Sequence, residues 1–139
     1  MEISRRDACL LVPALVAATG HAAEGPSLIS KAYRFEELPV RTSGGNAFRA
    51  VLDGMTHAGC HIELHETSLA PGAIPHPPHH HMHEEMFFVR EGALEVTIAG
   101  RSSRLGPGSV AFVSSNDEHG VRNLGTGPAQ YFVLAIGQD

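Results

Sequence analysis

The sequence predicts an all-β, single-domain protein built as a sandwich or barrel. Three observations carry this reading. Nine short segments show strand-like alternation or β-rich composition, turn signals such as TSGGN, APGA and GPGS lie between them, and no window of a dozen residues beyond the N-terminal stretch shows a 3.6-residue apolar repeat. Fifteen glycines and nine prolines are spread along the 139 residues rather than clustered, which suits many tight turns better than a few long helices. The length leaves room for one barrel and not for two.

The first element reads as an address. Ser4-Arg5-Arg6-Asp7 precedes an apolar run from Ala8 to Thr19, and small residues follow up to Ala23, the three-part layout of a signal peptide. The run is interrupted by Pro13 and falls short of the roughly 20 residues that span a bilayer. Residues 1–23 are therefore expected to be cleaved after Ala22 or Ala23, leaving no stable membrane anchor. The paired arginines resemble a twin-arginine export signal, so the mature protein is expected in the periplasm or outside the cell. Cleavage removes two charges of each sign and keeps the formal net charge at −5. It also removes Cys9 and leaves Cys60 without an intramolecular partner. The alternation of Cys60 with Ile62 and Leu64 predicts a buried core cysteine.

Residues 24–32 read as a flexible leader and residues 33–139 as the barrel. The expected strands are Tyr33 to Val40, Ala47 to Asp53, Cys60 to Leu69, Met86 to Arg90, Leu94 to Ala99, Ser102 to Leu105, Val110 to Val113, His119 to Arg122 and Tyr131 to Ile136. Phe87, Phe88, Phe112 and Phe132 are expected in the core. A net charge of −5, a pI near 6.0 and the lack of any Lys/Arg cluster exclude a nucleic-acid surface, which needs basic side chains against phosphate.

Histidine is the unusual component, at ten residues, with His76, His79, His80, His81 and His83 close together. On an extended chain His79 and His81 leave the same face with α-carbons about 6.5 Å apart, so two imidazoles converge on one ion. Glu85 follows after a short turn and offers a carboxylate. A fourth ligand has to come from a distant segment, and His119 is the only histidine after His83. By alternation His80 points away, and His76 lies outside the spacing. His83 is the alternative to His81 if the intervening turn is kinked. His61, Glu63 and His65 alternate along another strand and read either as cavity-lining groups or as solvent-facing and packed polar residues.

At these residues the chain resembles the cupin superfamily, whose two motifs read approximately G-x5-H-x-H-x3/4-E-x6-G and G-x5-P-x-G-x2-H-x3-N. His79, His81, Glu85 and Gly92 fit the first in register, with Gly72 one residue further upstream than the pattern asks. Gly108, His119 and Asn123 keep the second motif's spacing, with Ser114 and Asn116 in place of its proline and second glycine. Asparagine substitutes for glycine at positive φ, so these departures touch the turn and not the ligands.

The resemblance implies a double-stranded β-helix, a jelly-roll barrel, with one divalent metal ion held at its mouth by His79, His81, Glu85 and His119. Four protein ligands saturate tetrahedral zinc, whereas six-coordinate manganese, iron, cobalt or nickel keeps two positions for substrate. A six-coordinate metal is therefore preferred. The expectation is a small exported metalloenzyme acting on a small organic molecule, with a dioxygenase-like oxidation first and decarboxylation or isomerisation next. Glu85 is its candidate proton-exchanging residue. A non-catalytic periplasmic protein that binds metal or a small ligand is the alternative. Small cupins usually pair, and a homodimer is expected.

Overall fold

A computed structural model describes residues 25–139. The expected signal peptide, residues 1–23, and Cys9 lie outside them. Nine strands form: β1 (Val40–Ser43), β2 (Asn46–Met55), β3 (His61–Leu69), β4 (Glu84–Glu91), β5 (Leu94–Ile98), β6 (Arg101–Leu105), β7 (Val110–Val113), β8 (His119–Asn123) and β9 (Ala129–Ile136). Six make one sheet in the order β1-β2-β3-β9-β4-β7, and three make a second in the order β6-β5-β8. All these pairings are antiparallel. This is the jelly-roll barrel that the resemblance implied.

Strand alternation builds the core. Leu69, Phe87, Val89, Leu94, Val96, Val113, Val121, Tyr131 and Val133 form one buried cluster with contributions from both sheets. Leu69, Leu94 and Val113 are wholly buried, and each such side chain contributes about 1.5–3 kcal/mol by leaving water. The same alternation corrects the phenylalanine expectation. Phe87 points inward at 3% exposure, so its neighbour Phe88 points outward, and Phe112, opposite the outward Met86, is 49% exposed.

Tyr33 to Val40 is not a strand. Phe35–Glu37 form a 3-10 turn, and pairing begins only at Val40. Glu36 and Glu37 both reach back to Arg34, a local arrangement that an extended chain with alternating faces does not allow. Phe35 is held between the guanidinium groups of Arg49 and Arg90, at 4.7 and 4.4 Å from its ring centre. Arg90 stands where the β4–β9 register shifts, a bulge that re-aims its side chain.

Part of the segment read as a leader is tied down, because Leu28 N donates to Met55 O and Met55 N to Pro26 O, both at 2.8 Å. Gly54 permits the approach, since a β-carbon there would collide with the Pro26 carbonyl. Cys60 sits half-buried in the turn ahead of β3 rather than in the core. Its backbone N–H is taken by the Thr56 hydroxyl at 3.0 Å, and this turn displaces it from the strand's alternation.

Candidate metal centre

His79 and His119 face each other across an isolated antiparallel bridge, with backbone N–H···O distances of 3.0 and 2.9 Å in the two directions. This bridge joins the segment ahead of β4 to the first residue of β8 and brings two distant histidines side by side. The turn before His119 is shaped by Asn116, which has φ 65° as its glycine-like place in the motif requires. The Asn116 N–H donates to the carbonyl of His81 at 2.8 Å, so that turn also fixes the backbone of the third histidine.

The rings converge. Centroid separations are 5.1 Å for His79 and His81, 4.7 Å for His79 and His119, and 4.8 Å for His81 and His119. One ligand atom from each lies within 4.8 Å of the others. His81 Nδ1 donates to the His83 carbonyl at 2.8 Å, and His119 Nδ1 to the Asp117 carbonyl at 2.9 Å. A carbonyl only accepts, so both rings carry their proton on Nδ1 and turn the Nε2 lone pair toward the cluster.

Glu85, on the inward face of β4, places Oε2 3.2 Å from His119 Nε2 and Oε1 3.5 Å from His81 Nε2. Donor atoms bound about 2.1 Å from one ion sit about 3.0 Å apart at right angles and about 3.4 Å apart in a tetrahedron, so these separations are those of neighbouring ligands. His79 Nδ1, His81 Nε2 and His119 Nε2 are buried without a hydrogen bond among the described residues. Buried polar atoms without partners are costly, and a cation bound by lone pairs removes the cost at His81 and His119. The donor set fits a divalent metal ion.

Charge supports the same arrangement. Burial and then the neighbouring imidazoles hold His79 below its ordinary value, which keeps it neutral. Burial opposes ionisation of Glu85, yet its contact with His119 and the charges of His81, His119 and His83 carry the carboxyl below its usual range. The Glu85 contact raises His119 against the effect of burial.

The other clustered histidines serve different places. His80 is exposed. His76 sets its ring edge-on to His79 at 4.2 Å despite standing outside the motif spacing. His83 stacks on His81 at 3.6 Å and binds Asp139 Oδ1 through Nδ1 at 2.9 Å, so His81, His83 and Asp139 make a second close set of donor atoms. His61 pairs with Asp53 at 2.8 Å.

A cavity of about 410 Å³ opens beside Glu85 and His119, walled by Phe48, Phe87, Tyr131 and Val133, and His65 lines it too. Burial pushes the Tyr131 hydroxyl up, so it stays a neutral donor. Sequence reasoning left the side of His65 open and did not single out Phe48 or Tyr131. The usable signal was that His65 shares its β3 face with the core residue Leu69.

Two of the motif residues outside the cluster, Gly92 and Asn123, are structural. Gly92 has φ 80°, and a β-carbon there would lie 2.7 Å from Ala129 Cα and from the Pro128 carbonyl. Asn123, 1% exposed, donates through Nδ2 to the carbonyls of Leu69, Ala70 and Gly127 at 3.0, 3.1 and 2.8 Å, and accepts from Gly125 N–H at 2.8 Å.

The family described as the Cupin domain matches residues 65–136. No curated protein matches. Among solved structures, KdgF from Halomonas sp. is 21% identical, with 80% of this chain and 97% of that chain covered and a TM-score of 0.65. An RmlC-like cupin from Shewanella frigidimarina is also 21% identical, covering 78% and 93% at a TM-score of 0.64. A sugar phosphate isomerase of the cupin superfamily from Silicibacter pomeroyi is 19% identical, covering 78% and 76% at 0.63. At these identities the likeness is one of fold.

Proposed function

The chain belongs to the cupin family, and from that premise we propose that it holds one divalent metal ion through His79, His81, Glu85 and His119 and acts on a small organic molecule in the adjoining cavity. The observation that carries the proposal is the set of buried ring nitrogens without partners, gathered beside Glu85 at the end of that cavity. Three neutral imidazoles and a carboxylate leave a divalent site with a net charge of about +1, which favours oxygen-bearing, electron-rich groups. Six-coordinate manganese, iron, cobalt or nickel suits this role better than tetrahedral zinc. Such an ion supplies Lewis acidity and two open positions when bound.

The chain's own residues supply the rest. Phe48, Phe87 and Val133 give the substrate an apolar wall and exclude water, while Glu85 Oε1, 3.5 Å from His83 Nε2, has a route for proton exchange with a half-buried base. Oxygen-dependent oxidation is the first reaction class to assay, and decarboxylation or isomerisation suits the same arrangement.

Metal analysis of the purified protein beside a His119→Ala variant tests the proposal. The expected result is about one ion per wild-type chain and loss of it in the variant, with thermal stabilisation of the wild type by manganese, iron or nickel. A free concentration 100-fold above Kd adds about 2.7 kcal/mol. Equal, substoichiometric metal in both proteins and no thermal shift overturns it. Stoichiometric metal with no turnover across oxidation, decarboxylation and isomerisation assays supports the non-catalytic binding role instead.

A further inference from the structure

The cavity has a second polar end. His65 lines it from β3, and its Nδ1 lies 3.0 Å from both carboxylate oxygens of Glu63. A carboxylate only accepts, so Nδ1 carries the proton and Nε2 keeps a basic lone pair. No hydrogen bond to that Nε2 occurs among the described residues. The imidazole packs against Phe48 at 4.5 Å between ring centres, which fixes its plane. Exposed His–Glu pairs are common and weak, but the His65 side chain is only 18% exposed and belongs to a cavity wall.

Register places this pair opposite the candidate metal ligands. β3 and β4 both flank β9: Glu63 and Glu85 each pair with Ala135, and His65 and Phe87 each pair with Val133. Two strand spacings, about 9.6 Å, therefore separate the Glu63–His65 backbone from that of Glu85 and Phe87. Only the small Ala135 and the Val133 side chain lie between. His65, Glu85, Phe87 and Val133 all line the same cavity of about 410 Å³, which has room for a small organic molecule between the two groups. A base held by a third group and facing an electrophilic centre is the arrangement of a proton-transfer site.

We propose that Glu63 and His65 form a proton-transfer couple for a small carbon acid, a carbonyl compound with an acidic C–H whose oxygens face His79, His81, Glu85 and His119. The proposal rests on the metal-site reading above and adds the substrate class. As the C–H bond breaks, His65 Nε2 forms the new N–H bond, the electron pair moves onto the carbonyl oxygen to give the enolate, and Glu63 stabilises the imidazolium. Return of the proton to the same or an adjacent carbon completes exchange or isomerisation. No oxidant is consumed.

Manganese-loaded protein incubated with pyruvate or hydroxyacetone in D2O tests the step, with deuterium uptake at carbon read by mass spectrometry. The wild type is expected to accelerate exchange of at least one compound over buffer, His65→Gln to lose about 100-fold or more, and Glu63→Gln to lose less, with manganese content unchanged in both. Imidazole ¹⁵N spectra of metal-free protein, with the His65 resonance identified by its loss in His65→Gln, should show the proton on Nδ1 and a shift toward Nε2 in Glu63→Gln. Exchange of neither compound by fully loaded wild type, exchange by loaded His65→Gln at the wild-type rate, or a His65 proton on Nε2 each overturns the couple. A wild type that takes up no manganese sinks the metal-site reading instead, and the ¹⁵N spectra still judge the pair.

Discussion

Replacing Asn123 with alanine should unfold the protein early without emptying the candidate metal centre. The Asn123 amide offers two protons to three carbonyls and accepts a fourth bond from Gly125, all at a residue only 1% exposed. Two donors and one acceptor are lost, and the carbonyls of Leu69, Ala70 and Gly127 lose that partner. At about 1–1.3 kcal/mol for each of the three lost bonds, the cost is about 3–4 kcal/mol. For a domain of about 115 residues the unfolding entropy makes 1 kcal/mol worth about 4 °C, so the midpoint should fall by about 12–16 °C. Thermal unfolding followed by circular dichroism reads this, with metal per folded chain measured at 20 °C. Asn123→Asp should fare no better at neutral pH, because it turns a carboxylate toward the same carbonyls. A midpoint within 3 °C of wild type, or metal lost at an unchanged midpoint, would refute the assignment of this motif residue to the frame.

Four further outcomes are expected. Glu85, held low, contributes stability that is present above its ordinary 4.5 and lost as pH falls through its lower folded value; His119, held high, contributes stability that is complete below 6.5 and lost as pH rises through its higher folded value. His79, held low, subtracts stability as pH falls below 6.5. Metal binding has to expel the Nε2 proton of the His119 imidazolium, which is present at low pH, so the rise in Tm on adding manganese to metal-free protein should be larger at pH 7.5 than at pH 5, and equal rises count against His119 as a ligand. Ala99, at φ 47° in the hairpin between β5 and β6, should be replaceable by asparagine with a gain of about 0.5–1 kcal/mol in urea unfolding, since asparagine tolerates this region better. The proposed homodimer should pair through the outer face of the six-stranded sheet, where Phe88, Val110 and Phe112 are 36%, 49% and 49% exposed. Phe112→Glu should then run as a monomer in light scattering with its metal intact, and a monomeric wild type excludes the pairing. Changing Arg5 and Arg6 together to lysine should block the proposed export, read by fractionating cells, and unimpeded export speaks against a twin-arginine signal.

Legibility followed the range of the forces involved. β7 matches its expected bounds, and seven more strands lie within a few residues of theirs, because alternation and turn residues are local signals. The strand expected from Tyr33 to Val40 failed for a local and a non-local reason together: Glu36 and Glu37 reach back to Arg34, and Phe35 is placed by Arg49 and Arg90, which stand in β2 and β4. His79, His81, Glu85 and His119 were readable as a group because their spacing matches a motif. His65 was legible only in part: alternation puts it on the face of Leu69, but its place in line with Phe87 depends on pairing with β9, and register between distant strands leaves no mark in a single sequence.

The place of the candidate centre follows from the topology. Glu85 belongs to the six-stranded sheet, His119 to the three-stranded sheet, and His79 and His81 to the segment between β3 and β4. Within reach of that centre, the hydrogen bonds of the His79–His119 bridge tie this segment to β8. An ion bound by all four side chains therefore fastens the two sheets together at the end of the barrel where the cavity opens. Its stabilising effect should come from joining the sheets, so it should slow opening of β8 more than opening of β1, which lies at the far edge of the other sheet. The same position explains why a substrate-sized space survives beside the centre. Between the two sheets the core fills with Leu69, Leu94 and Val96, whereas in the row from Glu63 through Ala135 to Glu85 the side chain between the two carboxylates is only a methyl group.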